Sequence, residues 1–120
     1  MTEKALVVTL GKRDENQRLL AETLREMNYK VETTANKAEL SSTLLESPGP
    51  DLSIIDIDGY DPDIWDISQQ FAERSIPILI VTSADADRVQ AEGGDYGIGS
   101  VLSKPLDGAE LTTTINLLLK

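Results

Sequence analysis

The chain has neither cysteine nor histidine among its 120 residues. Without cysteine it can form no disulfide and no thiolate metal site, and without histidine it lacks the commonest general base and the imidazole metal ligands. Any metal would have to be held by carboxylate, carbonyl and water oxygens, which favours a hard cation such as Mg²⁺. The absence of cysteine is also compatible with a reducing compartment.

Positive charge is scarce as well, because 21 Asp and Glu residues outnumber 11 Lys and Arg residues and give a formal net charge of −10. A protein this acidic is poorly suited to bind nucleic acid directly. No apolar run approaches the roughly 20 residues needed to span a bilayer, and no signal peptide precedes the first apolar run. We therefore predict a single cytoplasmic domain over residues 1–120, with no nucleic-acid or membrane partner.

Strand-like apolar runs alternate along the chain with segments whose apolar residues recur at helical spacing. The predicted strands are Ala5–Leu10, Lys30–Thr34, Leu52–Asp56, Ile78–Val81 and Val101–Ser103. The first predicted helix begins at Asp14, and the second is capped by Asn36 and broken at 47–50. The third contains Ile64–Phe71, the fourth covers the weak segment Asp85–Glu92, and the fifth contains Leu111–Leu119. Because Gly93 and Gly94 interrupt the fourth helix, and glycine costs about 1 kcal/mol in a helix, we expect that helix to be short, frayed or mobile.

Five β-α units of this kind predict a parallel sheet covered by helices on both faces. Such sheets place their chemistry at the carboxyl ends of the strands. Asp56 ends the third predicted strand, Thr82 follows the fourth, and Lys104 follows the fifth. An Asp, a Thr and a Lys at three successive strand ends indicate a carboxylate that accepts a phosphoryl group.

The stretches Pro50–Asp56, Ile76–Ser83 and Leu102–Leu106, in this order and spacing, resemble the receiver domain of response regulators. The resemblance extends over essentially the whole chain. It implies a flavodoxin-like (βα)5 fold, that is, a doubly wound α/β sandwich with a five-stranded parallel sheet of order 2-1-3-4-5. It also implies a cis bond between Lys104 and Pro105, a form essentially confined to proline.

The resemblance further implies a role for each of the three strand-end residues. Asp56 would be the phosphoacceptor, Thr82 the switch hydroxyl and Lys104 the cation that contacts the phosphate. The chemistry agrees, since a carboxylate can attack a phosphoryl donor, a lysine can bind a phosphate oxygen, and a threonine can donate its hydroxyl and move inward.

The implied partners are those of a two-component signalling module that is not itself an enzyme. A sensor histidine kinase or a phosphotransfer protein would supply the phosphoryl group, and an output domain or partner protein would read the switch. The face formed by the fourth helix, fifth strand and fifth helix is the family's usual partner surface. The sequence leaves open whether a homodimer forms through this face. It also leaves open whether the chain is a stand-alone protein or part of a longer one.

The largest departure from the family lies after the first strand, where receivers usually carry two adjacent acidic residues that hold Mg²⁺. Aligned on the strand, Thr9 and Leu10 occupy those positions, and aligned on the first helix, Gly11 and Lys12 do. Neither register supplies an acid, so Asp56 and Asp58 would form only a weak, incomplete site and Mg²⁺ affinity should fall markedly.

Two residues near the loop offer ways around this deficit. Asp14 or Glu15 could fold back to replace the missing acids. Lys12, if it points into the site, would instead oppose the metal and neutralise phosphate itself.

Three further features weigh on the function. Val101 stands where receivers usually carry an aromatic residue that follows the switch hydroxyl, and Tyr96 is in the wrong register to replace it. Asp58, Asp61 and Asp63 are best interpreted as a solvated acidic loop rather than a Ca²⁺ loop, which needs a glycine and a terminal glutamate. Trp65 is interpreted as a half-buried helix residue rather than a partner-binding anchor.

Two functions remain in competition, and a third is disfavoured. The first is a receiver that is phosphorylated on Asp56, and the second is a pseudo-receiver that acts as an interaction module independent of phosphorylation. A flavin binder would need a Ser/Thr/Gly-rich phosphate loop after the first strand, and Gly11 is the only such residue in the segment 11–14.

Overall fold

The computed structural model describes residues 4–46 and 49–119. The strands are β1 (Leu6–Leu10), β2 (Lys30–Thr34), β3 (Leu52–Asp56), β4 (Ile78–Thr82) and β5 (Ser100–Ser103). The helices are α1 (Asp14–Glu26), α2 (Lys37–Ser42), α3 (Ile64–Glu73), α4 (Ala86–Gly93) and α5 (Gly108–Leu118). Short 3-10 turns at Thr43–Leu45 and Gly94–Tyr96 follow α2 and α4.

The five strands form one parallel sheet in the order β2-β1-β3-β4-β5, which confirms the predicted flavodoxin-like fold. Helices α1 and α5 cover one face of the sheet through Leu24 and Ile115. Helices α2, α3 and α4 cover the other face, where Phe71 is fully buried. Because β3 and β4 are buried along their whole length, the residues at their carboxyl ends are held by the rigid core of the sheet.

The element boundaries follow the predicted signals closely. Helix α1 begins at Asp14 as predicted, and the Asn36 side chain accepts a hydrogen bond from the Glu39 N–H at the start of α2. That bond satisfies one of the four N–H groups that have no partner within a helix. The predicted break after α2 lies partly outside the described residues, because 47 and 48 are not described.

The glycine-rich segment after α4 is closely packed, which its sequence does not reveal. Helix α4 continues through Gly93, where an added Cβ would lie 2.6 Å from Ile98 Cδ1 and 3.1 Å from Trp65 Cζ3. Gly97 has a φ of +81°, and an added Cβ there would lie 2.5 Å from the Ala72 Cβ. Two glycines of this segment are therefore required by close approach and by left-handed backbone.

Within the described ranges, no helix has the length and apolar character needed to cross a membrane.

Candidate functional site

Three neighbouring strand ends bring the predicted site residues together. Asp56 is the last residue of β3, Thr82 is the last residue of β4, and Lys104 comes directly after β5. The Lys104 N–H donates to the Thr82 carbonyl at 2.8 Å, which extends the β4–β5 pairing by one residue and fixes the lysine beside the site. The Lys104–Pro105 peptide bond is cis, as the resemblance implied.

Asp56 is nearly buried and is held from two sides. Its Oδ2 lies 2.6 Å from Lys104 Nζ, and its Oδ1 accepts a 3.1 Å hydrogen bond from the Asp58 N–H. Its side chain retains 11% of its exposure, so an incoming group can still reach it. The carboxylate therefore has the position and the adjacent cation that a phosphoacceptor needs.

Asp58 turns inward and binds the other two members of the constellation. Its Oδ1 accepts hydrogen bonds from the Thr82 hydroxyl and the Ser83 N–H, both at 3.1 Å. Its Oδ2 accepts from Lys104 Nζ at 2.9 Å and from the same Ser83 N–H at 3.1 Å. The expectation that Asp58 belongs to a solvated loop is thus wrong, because hydrogen bonds from two strand ends hold it at the site.

Asp61 and Asp63, by contrast, are exposed as that expectation requires. Asp63 pairs with Lys37 at the surface.

The pKa values of Asp58 and Lys104 follow from these contacts. Burial alone would raise the pKa of Asp58, but hydrogen bonds from Lys104, Ser83 and Thr82 outweigh it and lower the pKa to about 2. Burial alone would lower the pKa of Lys104, and the hydrogen bonds to Asp56 and Asp58 reverse that effect and raise it. Asp58 and Lys104 are therefore both charged near neutral pH.

The register of the sheet decides between the two alignments of the first strand. Leu10 pairs with Ile55, so Gly11 lies level with Asp56. A Cβ added to Gly11 would lie 3.3 Å from the Asp56 Cβ. Thr9 pairs with Ile54, two residues below the level of Asp56, and is completely buried. Gly11 and Lys12 therefore stand where the family's acidic pair is expected.

Gln17 occupies the space that a side chain at position 11 would take, and the sequence analysis missed it. Its Nε2 lies 2.3 Å from a Cβ added to Gly11, and its side-chain Oε1 is buried without a hydrogen-bond partner. The available signal was its place on the buried stripe of α1, three residues before Leu20 and four before Ala21. A polar residue on an apolar stripe next to a strand end marks a candidate site residue.

Lys12 lies outside the site. Its Nζ is 4.8 Å from the centre of the Tyr60 ring, a cation–π distance, and its Cδ would be 3.2 Å from a Cβ added to Gly59. The side chain therefore covers the loop after β3, and the alternative in which Lys12 points into the pocket is not the arrangement observed.

The side chains present fit Mg²⁺ poorly. Asp14 and Glu15 are exposed in the first turn of α1, where they border a groove beside β2 rather than fold back to Asp56. Both oxygens of Asp58 are already engaged by three donors, namely Thr82, Ser83 and Lys104. Among the residues that the structure describes, no three or more acidic side chains form a group that could hold a metal ion.

Lys104 is thus the cation beside Asp56, and Asp58, which the same lysine contacts, is the carboxylate next to it. The roles of Asp56 and Asp58 as metal ligands stay predictions.

Three other sequence interpretations can be placed. Val101 is half-buried against the core cluster of the α2–α4 face. Trp65 is 6% exposed and stacks on Tyr96 with ring centres 6.3 Å apart, so it is part of the core and more deeply buried than the half-buried position expected for it. Tyr96 is held in that stack.

A cleft of about 680 Å³ leads to the site between α1 and the start of α5. Its walls combine Asp56, Lys104 and Gln17 with apolar residues such as Leu20 and Leu111. The site is therefore open to a donor group that approaches across these two helices.

Comparison with known families gives one match. The model of the response regulator receiver domain matches residues 12–116. No curated protein matches the chain significantly.

Many solved structures share the fold. Chemotaxis protein CheY4 of Vibrio cholerae is 23% identical, with a TM-score of 0.84 over 98% of this chain and 100% of that chain. A response regulator receiver protein of Sinorhizobium medicae is 22% identical, with a TM-score of 0.82 over 98% and 95%. A two-component response regulator of Clostridium difficile is 18% identical, with a TM-score of 0.83 over 97% and 96%. At these identities the likeness establishes the fold.

Proposed function

The chain belongs to the response regulator receiver domain family, and on that premise we propose that it accepts a phosphoryl group on Asp56 and thereby switches a partner-binding face. The observation that carries the proposal is the contact set of Asp56 at the end of β3. A nearly buried carboxylate lies 2.6 Å from Lys104 Nζ and borders an open cleft. Few structural roles would require a carboxylate and an ammonium at the mouth of such a cleft.

The proposed donor is a phosphohistidine of a sensor histidine kinase or of a phosphotransfer protein. An oxygen of Asp56 attacks phosphorus, the phosphorus–nitrogen bond breaks, and its electron pair stays on the imidazole, which takes up a proton. Transfer of this kind depends on positioning and charge neutralisation more than on covalent help. Lys104 supplies the neutralising charge from within this chain, and the cleft beside α1 and α5 admits the donor side chain.

Thr82 is the residue that would respond to phosphorylation of Asp56. Its side chain is 1% exposed, its hydroxyl donates to Asp58, and its oxygen accepts from the Ala84 N–H at 3.0 Å. A change in the partner of this hydroxyl would pull on the backbone that leads into α4. The face of α4, β5 and α5 is the proposed output surface, and the cytoplasmic location stays a prediction.

In this family Mg²⁺ typically serves the phosphorylation site, where it would neutralise charge between the acceptor and the phosphoryl oxygens. The donor set here fits that ion poorly, so we assign no step to it. This misfit favours a second candidate function, namely an interaction module that works without phosphoryl transfer.

Labelling with acetyl phosphate separates the two candidates. The protein is incubated with acetyl phosphate over a range of Mg²⁺ concentrations, and the intact mass is measured with time. We expect one phosphoryl group on the native protein and none on Asp56→Asn. The matched control Asp61→Asn removes an exposed acid from the same loop and should be labelled like the native chain. If the native protein is never labelled, even at high Mg²⁺, phosphoryl acceptance is refuted and the interaction module is favoured.

A further inference from the structure

Three hydrogen-bond donors at the ends of β4 and β5 converge on one point. They are the Thr82 hydroxyl, the Ser83 N–H and Lys104 Nζ, and they lie 3.1, 3.1 and 2.9 Å from carboxylate oxygens of Asp58. A hydroxyl, a backbone N–H and an ammonium aimed at one point form a binding site for an anion with several oxygens. The described structure fills this site with a side chain of the protein itself.

Asp58 accepts hydrogen bonds from all three donors of this site. Its Oδ1 accepts from the Thr82 hydroxyl, its Oδ2 accepts from Lys104 Nζ, and the Ser83 N–H is shared between the two oxygens. Lys104 bridges this carboxylate and that of Asp56, at 2.9 and 2.6 Å. The two carboxylates are therefore next to each other, and a phosphoryl group joined to Asp56 would need the donors that Asp58 now holds.

We propose that Asp58 is a built-in substitute for the phosphoryl group, because its carboxylate occupies the anion site of Thr82, Ser83 and Lys104 in the unphosphorylated chain. The identity of the displaced anion rests on the proposed function, whereas the anion site itself does not. Two consequences follow. The Thr82 hydroxyl is already bonded to an anion before any phosphorylation, so phosphorylation would exchange its partner from Asp58 to the phosphoryl group. An incoming phosphoryl group must also displace Asp58 to gain its own contacts.

This role and that of a metal ligand exclude each other in the observed geometry. A ligand must turn a lone pair toward the ion, and both oxygens of Asp58 are turned toward the Thr82, Ser83 and Lys104 donors instead. Removing Asp58 therefore has opposite consequences under the two roles. It opens an anion site if Asp58 is a substitute, and it weakens cation binding if Asp58 is a ligand.

Titration with sulfate tests the anion site without any phosphoryl transfer. Asp56→Asn provides the background, because the ionised Asp56 would repel a free anion. Sulfate is added to Asp56→Asn and to Asp56→Asn/Asp58→Ala while the amide signals of Ser83 and Lys104 are followed by NMR. We expect saturable shifts in the double variant, with an apparent dissociation constant lower by about tenfold or more than in the single variant. The matched control Asp56→Asn/Asp61→Ala should bind like the single variant.

Equal sulfate binding in the single and double variants would overturn the proposal. Should Asp58→Ala fail to fold in this background, Asp58→Asn keeps the shape of the side chain, removes its charge and should shift the binding in the same direction. A double variant that binds sulfate, together with a native chain that is never labelled by acetyl phosphate, would support the anion site and refute only the phosphoryl acceptance.

Discussion

Substitution of Asp58 by asparagine should make the protein less stable near neutral pH and should change how its stability depends on pH. The pKa of Asp58 falls from 3.8 to about 2 on folding. A difference of that size corresponds to about 2 kcal/mol of stability near neutral pH. Because 31% of the side chain remains exposed, solvent screening reduces the expected cost to about 1–1.5 kcal/mol.

The sign of the pH dependence follows from the direction of the shift. A carboxyl group whose pKa is lowered by folding stabilises the protein above its unfolded pKa of 3.8 and loses that effect as the pH falls through about 2. The gap in unfolding free energy between the native protein and Asp58→Asn should be constant from neutral pH to about pH 5 and should shrink by about half near pH 3.

Urea unfolding at a series of pH values measures this gap. The fluorescence of Trp65, the single and buried tryptophan, reports the transition. Asp61→Asn, an exposed acid on the same loop, controls for the change in net charge. A gap that stays unchanged between pH 7 and pH 3, or that Asp61→Asn reproduces, would refute the contact set assigned to Asp58.

Three further results are expected. Gly11→Ala should displace the buried Gln17 amide and cost about 1–3 kcal/mol, and a double-mutant cycle with Gln17→Ala should recover part of that cost. Gly97→Ala should lower the free energy of unfolding by about 2–4 kcal/mol, because Gly97 has a positive φ and an added Cβ would meet the Ala72 Cβ. Gly94→Ala should raise it by about 0.4–1 kcal/mol, because Gly94 has helical backbone and open space around it. Urea unfolding measures both changes. Amides of the eight-residue helix α4 should exchange with deuterium faster than those of the 13-residue helix α1, because so short a helix opens easily even though Gly93 packs closely, and equal protection of the two helices would contradict the expected mobility.

The fold could be predicted because its signals are local and repeated. Continuous apolar strands, helical spacing and caps such as Asn36 each act over a few residues, and the β-α alternation then leaves few topologies. The structure moved strand boundaries by a single residue, for example from Val101 to Ser100 at the start of β5. Differences of that size are normal, because strand ends depend on which neighbour continues the hydrogen bonding.

The site could be predicted only in part, because its geometry depends on contacts between distant segments. Asp56, Thr82 and Lys104 were found since each ends an apolar run. The sequence places Asp58 beside Asp56 as a weak metal ligand but does not predict its bonds to Thr82, Ser83 and Lys104, because Asp61 and Asp63 follow it closely and make the segment look like a solvated loop. Its donors come from residues 24 to 46 positions further along the chain, and no local pattern reveals them.

The residues that replace the family's acidic pair, after β1, also could not be placed from the sequence alone. The sequence allowed two registers, and only the pairing of Leu10 with Ile55 placed Gly11 beside Asp56. Gln17 then fills the space left by the missing side chain. Because Gln17 lies on α1 and Gly11 lies at the end of β1, their packing can be recognised only from the three-dimensional structure.

The most direct test of the central claim is the initial rate at which acetyl phosphate labels the native protein and Asp58→Ala, measured side by side at equal Mg²⁺. We expect Asp58→Ala to be labelled faster, because the Thr82, Ser83 and Lys104 donors are free to receive the phosphoryl group. Slower labelling of Asp58→Ala would refute the substitute role and would identify Asp58 as a group that assists the transfer instead of one that competes with its product.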